Sequence, residues 1–440
     1  MYNQQYPPPG QYPPQGQYPP PQQGQYPPSS YGQQGGGYPP QQGGSYPPPQ
    51  YPPQGGAYPP QGQYPPPQQY PPSQSHSPYP PQGYGSAPPP PQPGYGAPPP
   101  QQYGGAPQFA PPPGGGGPPN PPSMGYGPLQ IIPWDAKPDA QALRNAMKGF
   151  GTNEMTLITV LHNKDPFQIS AINDAYHRLF NRDLVKDIQS ETSRWFEDGL
   201  VALARGPLLH DVYMLHEAVD GPGTKEKVLN DVLLGRSNAD MHAIKRTYQQ
   251  TFHRSLESDI KGDLSMKTER HFEIVLGACR AEDSAPMIPQ AIDQDVMELY
   301  RATEGKVGTD EMLVCSILST RNDNQIRAIA YSYEQKFRRK LMEVIKKEFS
   351  GHMKDALLFQ LQHAVDKYMH AAELLEAAMA GMGTKDYLLV SRVVRYHWDR
   401  QQLENVKVAY RQHYKKDLAS RIKGETSGDY ERLMVACVGG

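Results

Sequence analysis

The first 134 of the 440 residues contain no Asp, Glu, Lys or Arg; every charge in the chain lies at Asp135 or beyond. The same stretch has almost no aliphatic side chains. Such a segment cannot bury enough surface to offset the entropy of ordering its backbone, which excludes an independently folded N-terminal domain. Long apolar runs are missing throughout. Nothing approaches the roughly 20 residues needed to cross a bilayer, and no basic-then-apolar leader opens the chain. A cytoplasmic protein is the expectation, one that meets any membrane from outside. Cysteine is scarce, and the spacing of Cys279, Cys315 and Cys437 fits neither a disulfide framework nor a zinc site. All three are expected to be buried thiols of a reducing compartment. No Gly-x-x-x-x-Gly-Lys-Ser/Thr phosphate loop occurs, since Tyr300 stands where Gly305-Lys306 would need its first glycine. His-Glu-x-x-His and the 12-residue EF-hand loop are absent too, and the 13 histidines are scattered, with His210 and His216 expected at the surface or packed. Catalysis is therefore not expected. A formal net charge of −2 excludes a simple polybasic binder, so no specific nucleic-acid partner is expected.

What fills the N-terminal stretch is Pro, Gln, Gly and Tyr, with Tyr-Pro-Pro recurring eleven times from Tyr6 to Tyr79. Residues 1–130 read as a disordered, polyproline-biased tail. Its tyrosines offer many weak, equivalent contacts suited to self-association. The stretch Pro80–Pro100, with Gln92-Pro93-Gly94-Tyr95-Gly96, also fits docking to a calcium-sensor or aromatic-groove domain. A tail-driven interaction protein or condensate-forming scaffold is thus the alternative reading of the whole chain, beside a tail that is only a solvated spacer.

From about Pro138 onward the composition changes to Leu, Ile, Val, Ala and charged residues, with six prolines. Four segments there repeat: Met147-Lys148-Gly149-Phe150-Gly151-Thr152, Val219-Asp220-Gly221-Pro222-Gly223-Thr224, Glu304-Gly305-Lys306-Val307-Gly308-Thr309 and Met379-Ala380-Gly381-Met382-Gly383-Thr384. Two residues after each threonine stands an acid, Glu154, Glu226, Glu311 or Asp386. An acid opposes the positive end of a helix dipole and threonine is a competent N-cap, so each segment reads as a glycine turn feeding a helix. Thirty-two and thirty-six residues past the threonine come Leu184 and Ile188, Leu256 and Ile260, or Leu341 and Ile345. The fourth unit has Leu418 and Ile422, two residues late, which predicts a two-residue insertion somewhere between Lys385 and Leu418, with Tyr396–Gln402 the favoured stretch. Residues four apart share a helix face. Asp165-Pro166 reads as an N-cap followed by proline at the first helical position. Strand-like alternation is absent, and a connector is expected around Ala281–Asp293, with Pro286 and Pro289. The expected fold is all-α, in units 135–206, 207–281, 282–366 and 367–440. An acid also recurs thirty-nine residues past each threonine, at Glu191, Asp263 and Glu348, and at Glu425 after forty-one. These acids are expected on loops.

Four units of about 70 residues with Met-Lys-Gly-x-Gly-Thr-like turns resemble the annexin core. Lys261-Gly262-Asp263, Lys423-Gly424-Glu425, Thr426-Ser427-Gly428-Asp429-Tyr430 and the terminal Gly439-Gly440 sharpen the resemblance. The tail is similar to that of long-tailed members of the family. The resemblance implies a curved disc of four five-helix repeats, with calcium as cofactor and acidic phospholipid membranes as partner. It implies calcium ligation by the carbonyls of Met147, Gly149 and Gly151, of Val219, Gly221 and Gly223, and of Met379, Gly381 and Gly383. In the third unit Lys306 and Gly308 match, the first carbonyl being either Thr303 or Glu304. Glu191, Asp263, Glu348 and Glu425 then supply the carboxylates. Glycine suits such a turn because it tolerates the positive φ that aims several carbonyls inward. The residue before the last glycine is apolar in every unit, so Phe150, Val307 and Met382 are expected to be membrane-contact tips, with Pro222 in the corresponding place. Asp220 stands where the first unit has Lys148, and its carboxylate should repel lipid phosphate at the second turn.

Overall fold

The computed structural model describes residues 117–440 apart from positions 222, 265, 306 and 307. The described residues form helices and no strand. The first repeat consists of α1 (Lys137–Ala146), α2 (Glu154–His162), α3 (Pro166–Phe180), α4 (Leu184–Glu191) and the first half of α5 (Arg194–Val219). Gly206, at φ 70° and ψ 174°, breaks α5 just before Pro207, and the half beyond opens the second repeat. That repeat continues through α6 (Glu226–Leu233), α7 (Asn238–Phe252), α8 (Leu256–Ile260) and α9 (Met266–Leu276). The third comprises α10 (Pro289–Thr303), α11 (Glu311–Thr320), α12 (Asp323–Phe337), α13 (Leu341–Glu348) and α14 (Gly351–Val365). The fourth comprises α15 (Lys367–Met379), α16 (Asp386–His397), α17 (Arg400–Tyr414), α18 (Leu418–Lys423) and α19 (Gly428–Cys437).

Local sequence accounts for many of these boundaries. Asp165 accepts hydrogen bonds from the amides of Phe167 and Gln168 while Pro166 opens α3, and Asn322 with Gln325 forms the same reciprocal cap on α12. The two extra residues of the fourth repeat lengthen its second helix: α16 has 12 residues where α2, α6 and α11 have 9, 8 and 10. The connector runs over 277–288 rather than to Asp293, because Pro289 is pre-shaped for the first position of a helix and starts α10.

The Leu–Ile pairs of the fourth helices are buried in all four repeats. Beside them lie four fully buried tyrosines, Tyr176, Tyr248, Tyr333 and Tyr410. Burial drives each phenol to the neutral form, pushing Tyr333 up to about 12. Each hydroxyl finds a carboxylate: Asp187 at 2.6 Å and Asp259 at 2.8 Å on the fourth helices of repeats 1 and 2, Glu304 at 3.2 Å in repeat 3, and Glu376 on α15 in repeat 4. Val344 and Arg421 hold the Asp187 place in repeats 3 and 4, and there the acid comes instead from the repeat's first helix: Glu304 at the C-cap of α10 and Glu376 within α15.

A polar centre joins the second and fourth repeats. Arg392 on α16 donates to Asp231 on α6 at 2.7 and 3.2 Å, with both side chains buried. Asp211 on α5 accepts from Arg395 at 2.8 Å and from Arg236. The segment before α1 packs onto this centre. Buried Tyr126 donates to Asp211 beneath the Arg236 guanidinium, Ser123 donates its amide and hydroxyl to Asp240 at 2.7 and 2.6 Å, and the Asn120 amide reaches Glu282 at 2.8 Å. A tail boundary at residue 130 is therefore too late. Composition averages over a window, whereas one tyrosine and a few donors set on core carboxylates are enough to hold this strap. Residues 1–116 lie outside the described residues. Cys315 and Cys437 are buried thiols, but Cys279 is exposed, because the connector carries it out of the packed faces.

Several histidines are buried as neutral rings. Burial pulls His210 and His397 down to about 4, and His271 and His370 to about 3. A folded-state value below the unfolded 6.5 means the unfolded chain binds more protons between the two values, so stability falls as pH drops through that window. We expect the thermal midpoint to decline by roughly 10 °C between pH 6.5 and 4.5, read by circular dichroism. A flat midpoint over that range would contradict neutral burial of these rings.

Candidate metal centres at the repeat turns

Each glycine turn leaves its first helix and closes on a backbone hydrogen bond. Asn153 N reaches Ala146 O at 2.9 Å, Lys225 N reaches Ala218 O at 2.9 Å, and Lys385 N reaches Ala378 O at 2.8 Å. In the third repeat Asp310 N reaches Ala302 O at 2.7 Å, one residue further back. Thr303 thus takes the place of Met147, and that turn holds one residue more. Gly149, Gly221 and Gly381 have φ of 105–109°, and Gly151, Gly223, Gly308 and Gly383 of 79–86°. A Cβ added at any of the seven would meet nothing within 4 Å, so the backbone conformation and not crowding requires glycine. Met147 and Met379 bury their side chains and bring only backbone to the turn. Lys306 and Val307 lie outside the described residues, as does Pro222.

The threonines do not cap the helices that follow. Asn153, Lys225, Asp310 and Lys385 stand at the N-caps, and the threonine hydroxyls reach across to the distant acids. Thr152 donates to the Glu191 carbonyl at 3.1 Å and Thr224 to the Asp263 carbonyl at 3.0 Å. Thr309 donates to Glu348 Oε2 at 3.0 Å and Thr384 to Glu425 Oε2 at 2.8 Å. The hydroxyl is one residue too early for capping, and the turn aims it at the end of the fourth helix instead. Every turn is thereby stitched to its own acid. Glu191 and Glu348 are the last residues of α4 and α13, not loop residues, because helical hydrogen bonding continues to them; Asp263 and Glu425 stand in the turns just beyond α8 and α18.

The four carboxylates differ in their company. Those of Glu191 and Asp263 make no hydrogen bond or ion pair among the described residues. Glu348 takes the exposed Lys347 ammonium at 2.9 Å, which with the Thr309 hydroxyl holds it below the usual carboxylate range. Glu425 is lowered likewise by the Arg421 guanidinium and the Thr384 hydroxyl. At the turn tips Phe150 and Met382 stand fully free of the protein, 112% and 106% exposed. Asp220, on the second turn, is exposed as well.

The annexin repeat matches at residues 138–203, 210–272, 294–359 and 370–437. The chain belongs to the annexin family. Annexin C1 of Cryptococcus neoformans var. grubii is 42% identical over 311 residues, covering 70% of this annexin and 66% of the relative. Annexin A7 of Homo sapiens is 38% identical over 309 residues, covering 70% and 62%. This annexin thus spans somewhat less than two thirds of those relatives' lengths. Among solved structures, a mutant of annexin A8 with an intact N-terminus superposes with a TM-score of 0.67 at 33% identity, over 71% of this chain and 97% of that one. The calcium-bound annexin (Sm)1 gives 0.62 at 27%, over 72% and 95%. No helix of the described residues is long and apolar enough to cross a membrane.

Two features of this annexin escaped sequence reasoning. The strap at Asn120–Tyr126 and the Asp211–Asp231–Arg392–Arg395 centre join residues far apart in the chain, and nothing local marks them. Arg421 left a trace: aligning the repeats sets it against Asp187, Asp259 and Val344, an unmatched cation four residues before an assigned acid.

Proposed function

We propose that this annexin binds calcium at its repeat turns and, through those ions, docks on anionic phospholipid surfaces. The carrying observation is the threonine stitch, which in all four repeats holds a positive-φ glycine turn against an acid 39 or 41 residues away. Calcium takes about 6–8 oxygens. Three turn carbonyls and a bidentate carboxylate supply about five, leaving room for a lipid phosphate. The sets are Met147, Gly149 and Gly151 with Glu191; Val219, Gly221 and Gly223 with Asp263; Thr303, Lys306 and Gly308 with Glu348; and Met379, Gly381 and Gly383 with Glu425. A single carboxylate only partly neutralises the dication, so calcium and lipid raise one another's affinity by the same factor. Four ions add eight positive charges to a formal −2, concentrated at the turns, which draws them toward anionic headgroups. The protein acts as a binding protein, not an enzyme, cytoplasmic at low calcium and peripheral on membranes when calcium rises. Its Tyr-Pro-Pro tail adds weak contacts that cluster vesicles carrying bound protein.

Sedimentation with phosphatidylserine-containing liposomes tests this. The full chain should pellet only when both calcium and acidic lipid are present; pelleting without calcium, or none with it, refutes the reading. Removing residues 1–116 should leave binding intact and reduce vesicle turbidity. Changing Phe150 and Met382 to Ser should raise the calcium needed while keeping binding strictly calcium-dependent. Each tip contributes about 1–2 kcal/mol of apolar contact, at about 25 cal/mol per Å², and neither packs on the protein, so the melting midpoint should stay put. A calcium titration of liposome binding reads the shift.

A further inference from the structure

In the fourth repeat a side chain already occupies the ground between the assigned calcium ligands. Arg421, on α18, donates through Nη1 to Glu425 Oε1 and through Nη2 to the Met379 carbonyl at 3.0 Å. Its Nε and Nη2 also reach Glu376 Oε2 and Oε1 at 3.3 and 3.4 Å. The guanidinium is thus held by an acid that is not part of the assigned set and spans one carboxylate and one carbonyl that are. No other repeat has this arrangement among the described residues. The corresponding residues are Asp187, Asp259 and Val344, and the Lys347 that meets Glu348 is an exposed side chain on a flexible stem, 69% accessible against 17% for Arg421.

We propose that Arg421 is a tethered cation that holds the calcium position of the fourth repeat and makes that repeat the last to load. Resting on the calcium reading above, it places repeat 4 after repeats 1 and 2, whose carboxylates are unengaged among the described residues, and after repeat 3, whose acid meets an exposed lysine. A planar guanidinium satisfies a carboxylate and a carbonyl with directed hydrogen bonds, as a single metal ion otherwise would. Calcium entering repeat 4 has to break the contacts to Glu425 and Met379. Glu376 keeps its Tyr410 partner in either state. The displaced arginine then lies beside the loaded turn, where a lipid phosphate accepts the two-pronged contact that Glu425 gave up.

The sign of one substitution separates this from a simple surface charge. If Arg421 only attracted anionic lipid, Arg421→Met would raise the calcium requirement. As a tethered competitor of the ion, its removal by Arg421→Met should lower the calcium needed for the last ion bound by about tenfold, equivalent to about 1.4 kcal/mol. The readout is calcium stoichiometry by equilibrium dialysis of the full chain with phosphatidylserine liposomes, over a calcium series. The gain should vanish in Arg421→Met combined with Glu425→Gln, because the site it opens is then missing its carboxylate. An unchanged or higher calcium requirement in Arg421→Met, or a gain that persists without Glu425, overturns the proposal. If Arg421→Met does not fold, Arg421→Lys decides: a shorter, single-point ammonium should lower the requirement part way, and an unchanged titration overturns the proposal. Failure of the parent reading looks different, since the unaltered chain would then bind no calcium at all.

Discussion

Replacing Glu191, Asp263, Glu348 and Glu425 together by their amides should abolish calcium-dependent liposome binding while leaving the helical fold in place. Each carboxylate is assigned two of about five protein oxygens and all of the site's formal negative charge, because the turn carbonyls are neutral dipoles. Loss of one site in four should raise the calcium requirement modestly; loss of all four should remove binding at any calcium level that leaves liposomes dispersed. Helicity should survive because these residues stand at helix ends, and the repeats are held by their buried apolar faces. The threonine stitches of repeats 1 and 2 go to backbone carbonyls and are kept in the amides. Circular dichroism with a calcium titration of sedimentation checks both halves. A folded quadruple variant that binds at the original calcium concentration would refute the ligand assignment.

Changing Asp231 to Ala should destabilise the core sharply, with no direct effect on the turns. Arg392 would be left charged and buried, with only the Leu374 carbonyl among its present partners. Breaking a buried pair by removing one partner costs about 3–5 kcal/mol, since the remaining charge stays desolvated and uncompensated. For a core of this size that is roughly a 10 °C fall in the melting midpoint. Replacing both members, Asp231→Leu with Arg392→Met, should recover most of the loss, because the cost lies in the orphaned charge and not in the missing bond. Scanning calorimetry of the three proteins is the measurement. A single variant as stable as the parent would mean that water reaches Arg392. At temperatures where the single variant is folded, its calcium titration should match the parent, which separates the inter-repeat centre from the repeat turns.

Neither the inter-repeat centre nor the strap is legible in the chain, although most of the repeat is. Helical spacing, the Asp165-Pro166 cap, the glycine turns and the two-residue lateness of Leu418 and Ile422 all act over a few residues or recur in register. Local rules and self-comparison therefore recover them. The lateness points to the same stretch in which α16 is longer than its counterparts. The recurrence of an acid 39 or 41 residues after each threonine is visible as arithmetic, though the contact behind it is not. By local rules threonine caps the next helix; only the turn's backbone path decides that its hydroxyl faces the end of the fourth helix.

By itself the sequence determined an all-helical core of four repeats, behind a segment whose lack of charge and aliphatic side chains forbids a core of its own. It also determined which residues recur at the turns, because recurrence is a one-dimensional property. Tertiary structure decided everything that depends on who meets whom across the chain. It decided that Tyr126 and Ser123 are bound by Asp211 and Asp240, that the third turn is a residue longer with Thr303 in the first position, and that Arg392 pairs with Asp231. It decided as well that Arg421 stands between Met379 and Glu425. A charged or hydrogen-bonding side chain carries no mark in sequence of its distant partner. The energy that selects that partner comes from burial, and burial exists only once the repeats have packed.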